Sequence, residues 1–78
     1  MMFRIPTDRE IQALRVQFPV GTRVKLIKMD DPYTHLKPGD RGTVQGVDDT
    51  GQIMMKWDSG GSLSLIPGED IFQKEERV

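Results

Sequence analysis

Residues 41–58 read Arg41-Gly42-Thr43-Val44-Gln45-Gly46-Val47-Asp48-Asp49-Thr50-Gly51-Gln52-Ile53-Met54-Met55-Lys56-Trp57-Asp58, and this stretch decides the fold. Its second half alternates. Ile53, Met55 and Trp57 share one face, while Met54 and Lys56 take the other, the period-2 pattern of a half-buried strand. Asp48-Asp49-Thr50-Gly51 is a tight-hairpin signal, because Asp favours a turn entry and Gly takes the backbone into positive φ. The stretch therefore reads as a β-hairpin with strands over 41–47 and 53–57.

The same pattern extends on both sides. Upstream, Arg23-Val24-Lys25-Leu26-Ile27-Lys28-Met29 is a strand with Val24 and Leu26 on one face and Lys25 opposite them. A long polar loop, Asp30 to Asp40, joins it to the hairpin. Downstream, Asp58-Ser59-Gly60-Gly61 is a second turn, and Ser62-Leu63-Ser64-Leu65-Ile66 is a further strand with Leu63 and Leu65 inward. Pro67-Gly68-Glu69-Asp70 reads as a short helical turn, Ile71-Phe72-Gln73-Lys74 as the last strand, and 75–78 as a frayed tail. Short strands separated by turn signals at this spacing predict a small five-stranded barrel, which hides its own edges.

One helix precedes the strands, over 7–18. Thr7-Asp8-Arg9-Glu10 fits a capping box, in which the Thr7 hydroxyl takes the Glu10 N–H and the Glu10 carboxylate reaches back. Pro6 and Pro19 punctuate its ends. Ile11, Leu14 and Phe18 form one apolar stripe, so the helix must dock, and an open end of the barrel is the expected place. The fold class is thus mainly β: a single domain over 1–78, with a helix at 7–18, a barrel over 20–74 and a tail.

Composition removes several classes of function. The 78 residues contain no cysteine and one histidine, which excludes a disulfide scaffold and a cysteine-based zinc site. Eleven basic residues stand against twelve acidic ones, so the chain does not bind nucleic acid by bulk charge. No apolar run reaches the roughly 20 residues of a membrane span, and no signal peptide is visible, which sets a cytoplasmic expectation. A lone His with scattered carboxylates fits no reaction scheme, so the chain reads as a non-enzyme with no cofactor and no metal.

The order of elements resembles the Src-homology-3-like small barrel. Residues 37–48, Lys-Pro-Gly-Asp-Arg-Gly-Thr-Val-Gln-Gly-Val-Asp, also look like the glycine-containing turn of KOW-type barrels. A resemblance covering nearly the whole chain is carried by Phe3-Arg4-Ile5-Pro6-Thr7, Pro19-Val20-Gly21-Thr22-Arg23-Val24, Met29-Asp30-Asp31-Pro32, Gly42-Thr43-Val44, Trp57-Asp58 and Leu65-Ile66-Pro67-Gly68. This series is similar to a family of short proteins of unknown function carried by bacterial phages and other mobile elements. The resemblance implies a barrel with a host-directed or element-encoded role. Polyproline-binding members of the Src-homology class carry an aromatic where this chain has Gln52-Ile53, and a tyrosine where it has Asp70. The fold is therefore expected without that groove.

The leading expectation is a small module that contacts a protein partner. The loop from Asp30 to Asp40 holds the only Tyr and the only His, and a rigid scaffold presents such loops. Its candidate contacts are Asp31, Tyr33, His35 and Lys37, with the turns at 48–51 and 58–61 beside them. Trp57 reads as core, because it alternates with Ile53 and Met55. Met54, with Ile27, Met29 and Ile66, is a candidate apolar patch. The alternative is a KOW-like nucleic-acid face using Arg23, Lys25, Arg41 and Lys56. Against it, residues 19–68 carry six basic and six acidic side chains. A third reading is an oligomer that sequesters a small ligand in an interface pocket.

Overall fold

The computed structural model describes residues 6–29 and 34–75. Helix α1 (Asp8–Gln17) is followed by strands β1 (Arg23–Lys28), β2 (Arg41–Val47), β3 (Ile53–Trp57) and β4 (Ile71–Lys74). The strands form one antiparallel sheet in the order β3-β2-β1-β4.

The helix begins as its sequence dictates. The Thr7 hydroxyl accepts the Glu10 N–H at 3.2 Å, and the Glu10 carboxylate accepts the Thr7 N–H at 3.3 Å. Two of the orphan donors of the first turn are thereby satisfied. At the other end the Phe18 N–H donates to the Leu14 carbonyl at 2.7 Å. Ile11 and Phe18 are buried, and Leu14 packs against the core, so the apolar stripe faces inward. The helix lies over the end of the β2–β3 hairpin. Pro6 and Ile11 sit above Gly51, and the Arg15 guanidinium donates to the Val47 carbonyl at 3.1 and 3.2 Å. That helix-to-hairpin contact is what stabilises ten helical residues too few to persist alone.

The inner face of the sheet is built by alternation. Val24, Leu26, Val44, Ile53, Met55 and Trp57 all point to the helix side and are buried. Trp57 is core, 2% exposed, and its indole N–H donates to the Leu63 carbonyl at 2.8 Å. Gly42 lies between Val24 and Trp57, where a Cβ would fall 2.9 Å from both the Lys56 carbonyl and the Trp57 ring. Close approach of β2 to β3, with the indole laid across it, therefore requires glycine there. Phe72 of β4 meets Phe18 edge to face, ring centroids 5.7 Å apart, and joins the helix end to the sheet.

The sheet has four strands and is not closed, which corrects the expected five-stranded barrel. The stretch 62–66 contributes a single bridge, Ile53 with Leu65, made by two hydrogen bonds of 2.9 Å. Gly60 and Gly61 take positive φ, 103° and 88°, and close the turn that returns the chain to β3, where the Trp57 N–H donates to the Gly61 carbonyl at 3.1 Å. The ladder breaks between that bond and the Leu65 bridge. The Leu63 carbonyl is then taken by the Trp57 indole instead of by a strand. Leu63 is consequently 40% exposed rather than inward, while Leu65 is fully buried. The chain turns at 67–70, where the Asp70 carboxylate accepts the Ile66 N–H at 2.8 Å, and β4 returns to pair with β1. Glu75, expected in the tail, instead continues that ladder: its N–H donates to the Arg23 carbonyl at 2.9 Å.

Candidate functional site

The loop before β2 is held at several points. Leu36 is buried in the core. Lys37 to Asp40 form a β-turn with Pro38 and Gly39 at its centre; the Asp40 N–H donates to the Lys37 carbonyl, and the Asp40 carboxylate accepts the Lys37 N–H, both at 3.0 Å. The exposed His35 ring lies over Gly61, and its Nε2 sits 3.0 Å from the Gly60 carbonyl. A carbonyl can only accept, so Nε2 carries the proton and donates. His35 thus fastens the loop to the turn at 58–61. Lys37 is exposed beside it. Asp31 and Tyr33, the other two candidates of this loop, lie outside the described residues.

The turn at 48–51 belongs to the opposite end. It follows β2 and precedes β3, whereas the turn at 58–61 follows β3. The Asp48 carboxylate closes it by accepting from the Thr50 N–H, the Thr50 hydroxyl and the Gln52 N–H, at 2.9, 2.7 and 3.0 Å. These bonds, the Thr50 hydroxyl foremost, hold the Asp48 carboxyl below the usual range. Asp49 pairs with Arg15 at 3.0 Å. The expected surface therefore divides: loop 34–40 with turn 58–61 at one end, and turn 48–51 with the helix at the other.

The four cations Arg23, Lys25, Arg41 and Lys56 come together on the outer face of the sheet. Register sets Lys56, Thr43 and Arg23 in one cross-strand row and Arg41, Lys25 and Gln73 in the next. Asp58 extends the second row, since its N–H donates to the Arg41 carbonyl, and Glu75 extends the first. Both carboxylates act across the diagonal. Asp58 takes the Arg23 guanidinium with both oxygens, one at 2.8 Å, while Arg23 also donates to the Thr43 hydroxyl at 2.9 Å. Glu75 takes the Arg41 Nε at 2.5 Å. The Arg23 fork holds the Asp58 carboxyl below its ordinary range, and Asp58 in turn raises Arg23. Lys25 stands directly opposite Arg41, a like-charge pair. Sequence alternation alone predicts Lys25 and Arg41 on one face. It does not show Asp58 and Glu75 there, because each reaches its partner across an intervening strand.

The apolar patch expected from Ile27, Met29, Met54 and Ile66 does not assemble. Met29 packs against the core. Ile27 follows Leu26, which bonds to Gly39 and Asp40 before β2, whereas Met54 pairs with Gly46 near the end of β2. Met54 instead lines a shallow groove with Arg15, Phe18, Pro19, Val20, Gly46 and Val47. Among the described residues no helix is long and apolar enough to cross a membrane.

A family described as a domain of unknown function, DUF4314, matches residues 7–75. The chain belongs to the DUF4314 family. The match runs from the helix N-cap to the last ladder residue, so this DUF4314 domain includes the helix, all four strands and both ends described above. No curated protein and no solved structure matches the chain.

Proposed function

We propose that this DUF4314 domain is a small non-enzymatic binding module that contacts a protein partner through the end formed by loop 34–40 and turn 58–61. The observation that carries the reading is the His35 contact. A loop tied to its neighbouring turn by a side-chain hydrogen bond, and rooted by buried Leu36, meets a partner with little ordering left to do. His35, Lys37 and the turn residues Ser59 and Gly60 remain exposed on that end. Asp31 and Tyr33 belong to the same loop and complete the proposed contact set.

The strand order supports a likeness to the Src-homology-3-like barrel: the last strand pairs with the first, and Leu65 marks where the remaining strand would lie. The resemblance to phage- and mobile-element-borne proteins supports a host or element protein as the partner, met in the cytoplasm. The nucleic-acid alternative has one observation in its favour, the convergence of four cations on one sheet face. Two of them are already engaged by carboxylates of the same face.

The test is affinity enrichment from a bacterial lysate with the wild-type domain and with the His35→Ala/Lys37→Ala variant, both checked for folding by thermal melting. The reading predicts a protein retained by the wild type and lost by the variant. An identical set of captured proteins from both overturns it.

A further inference from the structure

We propose that the outer face of the sheet, centred on Lys25 and Arg41, docks an acidic peptide segment of the partner. This rests on the protein-binding reading and extends it, because the face is continuous with the proposed end: Asp58 of the 58–61 turn bonds the Arg41 backbone directly.

The first argument is charge. Four cations and two carboxylates share this face, leaving a net excess of two positive charges in a chain whose formal charge is −1. The second is the placement of like charges. Lys25 and Arg41 are direct cross-strand partners, an arrangement that is destabilising in a bare sheet. Glu75 engages Arg41 from across β1, while Lys25 has no ion pair among the described residues and is left for a ligand carboxylate. The third is the chemistry already on the face. Arg23 holds Asp58 through its fork, and Arg41 holds Glu75. The face is thus built to take carboxylates, and its own two act as internal competitors that an acidic ligand displaces.

The same features favour a peptide over a nucleic acid. The two rows, Lys56–Thr43–Arg23–Glu75 and Asp58–Arg41–Lys25–Gln73, present no aromatic ring on which bases could stack. Lys25 and Lys56 are the charges left for the ligand, and neither forms an ion pair within the described residues.

Fluorescence anisotropy of a labelled oligo-glutamate peptide at low salt tests the proposal, with a single-stranded oligonucleotide of equal charge as the second probe. Lys25→Glu/Lys56→Glu is expected to weaken peptide binding about tenfold or more. Asp58→Asn, which releases Arg23, is expected to tighten it, a gain that loss of folding cannot mimic. Absent peptide binding, loss of binding in both variants, no change in either, or tighter binding of the oligonucleotide overturns the proposal. If the lysate partner survives Lys25→Glu/Lys56→Glu yet is lost with His35→Ala/Lys37→Ala, the binding module stands and the acidic-segment docking falls.

Discussion

Single residues set the local limits of this fold. Gly42 has no room for a side chain, since any Cβ meets the Lys56 carbonyl and the Trp57 ring at 2.9 Å. Gly42→Ala is expected to force β3 away from β2 and to cost about 1–3 kcal/mol, read as a lower urea midpoint. Asp48 and Asp58 give the domain an acid-sensitive component. Both native carboxyls are held below the ordinary value, by the Thr50 hydroxyl and by the Arg23 fork respectively. The unfolded chain then takes up protons first. The stabilisation is complete above the unfolded carboxyl value of about 4 and is lost as pH falls through the lower native values. Thermal midpoints should therefore be flat from neutral pH to about 5 and fall below about 4. Asp48→Asn and Asp58→Asn should each flatten that fall; a slope unchanged in both would contradict the assignment.

At the scale of elements, legibility in the sequence tracks how local the cause is. The capping box at Thr7 and Glu10, the alternation of Ile53, Met55 and Trp57, and the turn at Asp48 are decided within a few residues, and each forms as its sequence predicts. Residues 62–66 fail for a non-local reason. Their alternation is correct for Leu65, yet the Trp57 indole captures the Leu63 carbonyl, and the ladder is interrupted between Gly61 and Leu65. Leu36 was hidden likewise, one apolar residue in a polar loop with no periodicity to announce it. On the outer face, alternation brings Lys25 and Arg41 together, but the Arg23–Asp58 and Arg41–Glu75 pairs depend on strand order, which no spacing encodes. For the helix, Thr7→Ala removes the cap acceptor and is expected to cost about 1 kcal/mol, with a loss of helical circular dichroism at elevated temperature.

For the whole molecule, size leaves a narrow margin. A single core in a chain this short supplies only about 3–5 kcal/mol. Among the described residues eleven buried side chains, from Ile11 on the helix to Leu65 beside β3, make up that core, and the chain has no cysteine for a disulfide behind them. Leu65 is the one buried residue of its segment and also the bridge to Ile53. Leu65→Ala is expected to cost about 2–5 kcal/mol, enough to leave much of the population unfolded at room temperature. Circular dichroism melting reads this directly; a near wild-type midpoint would show that the 61–66 segment is dispensable. In the proposed reading the two faces of the sheet divide the work: the inner face carries stability, while the outer face and the His35 end serve a partner.

That division is tested most directly by nuclear magnetic resonance. The isotope-labelled domain is titrated with the oligo-glutamate peptide, and its amide shifts are followed residue by residue. Perturbations centred on Lys25, Arg41, Thr43 and Lys56, extending through Asp58 to Gly60 and His35, are the predicted result. Shifts confined to the groove at Pro19, Val20 and Met54, or no shifts at all, would contradict it.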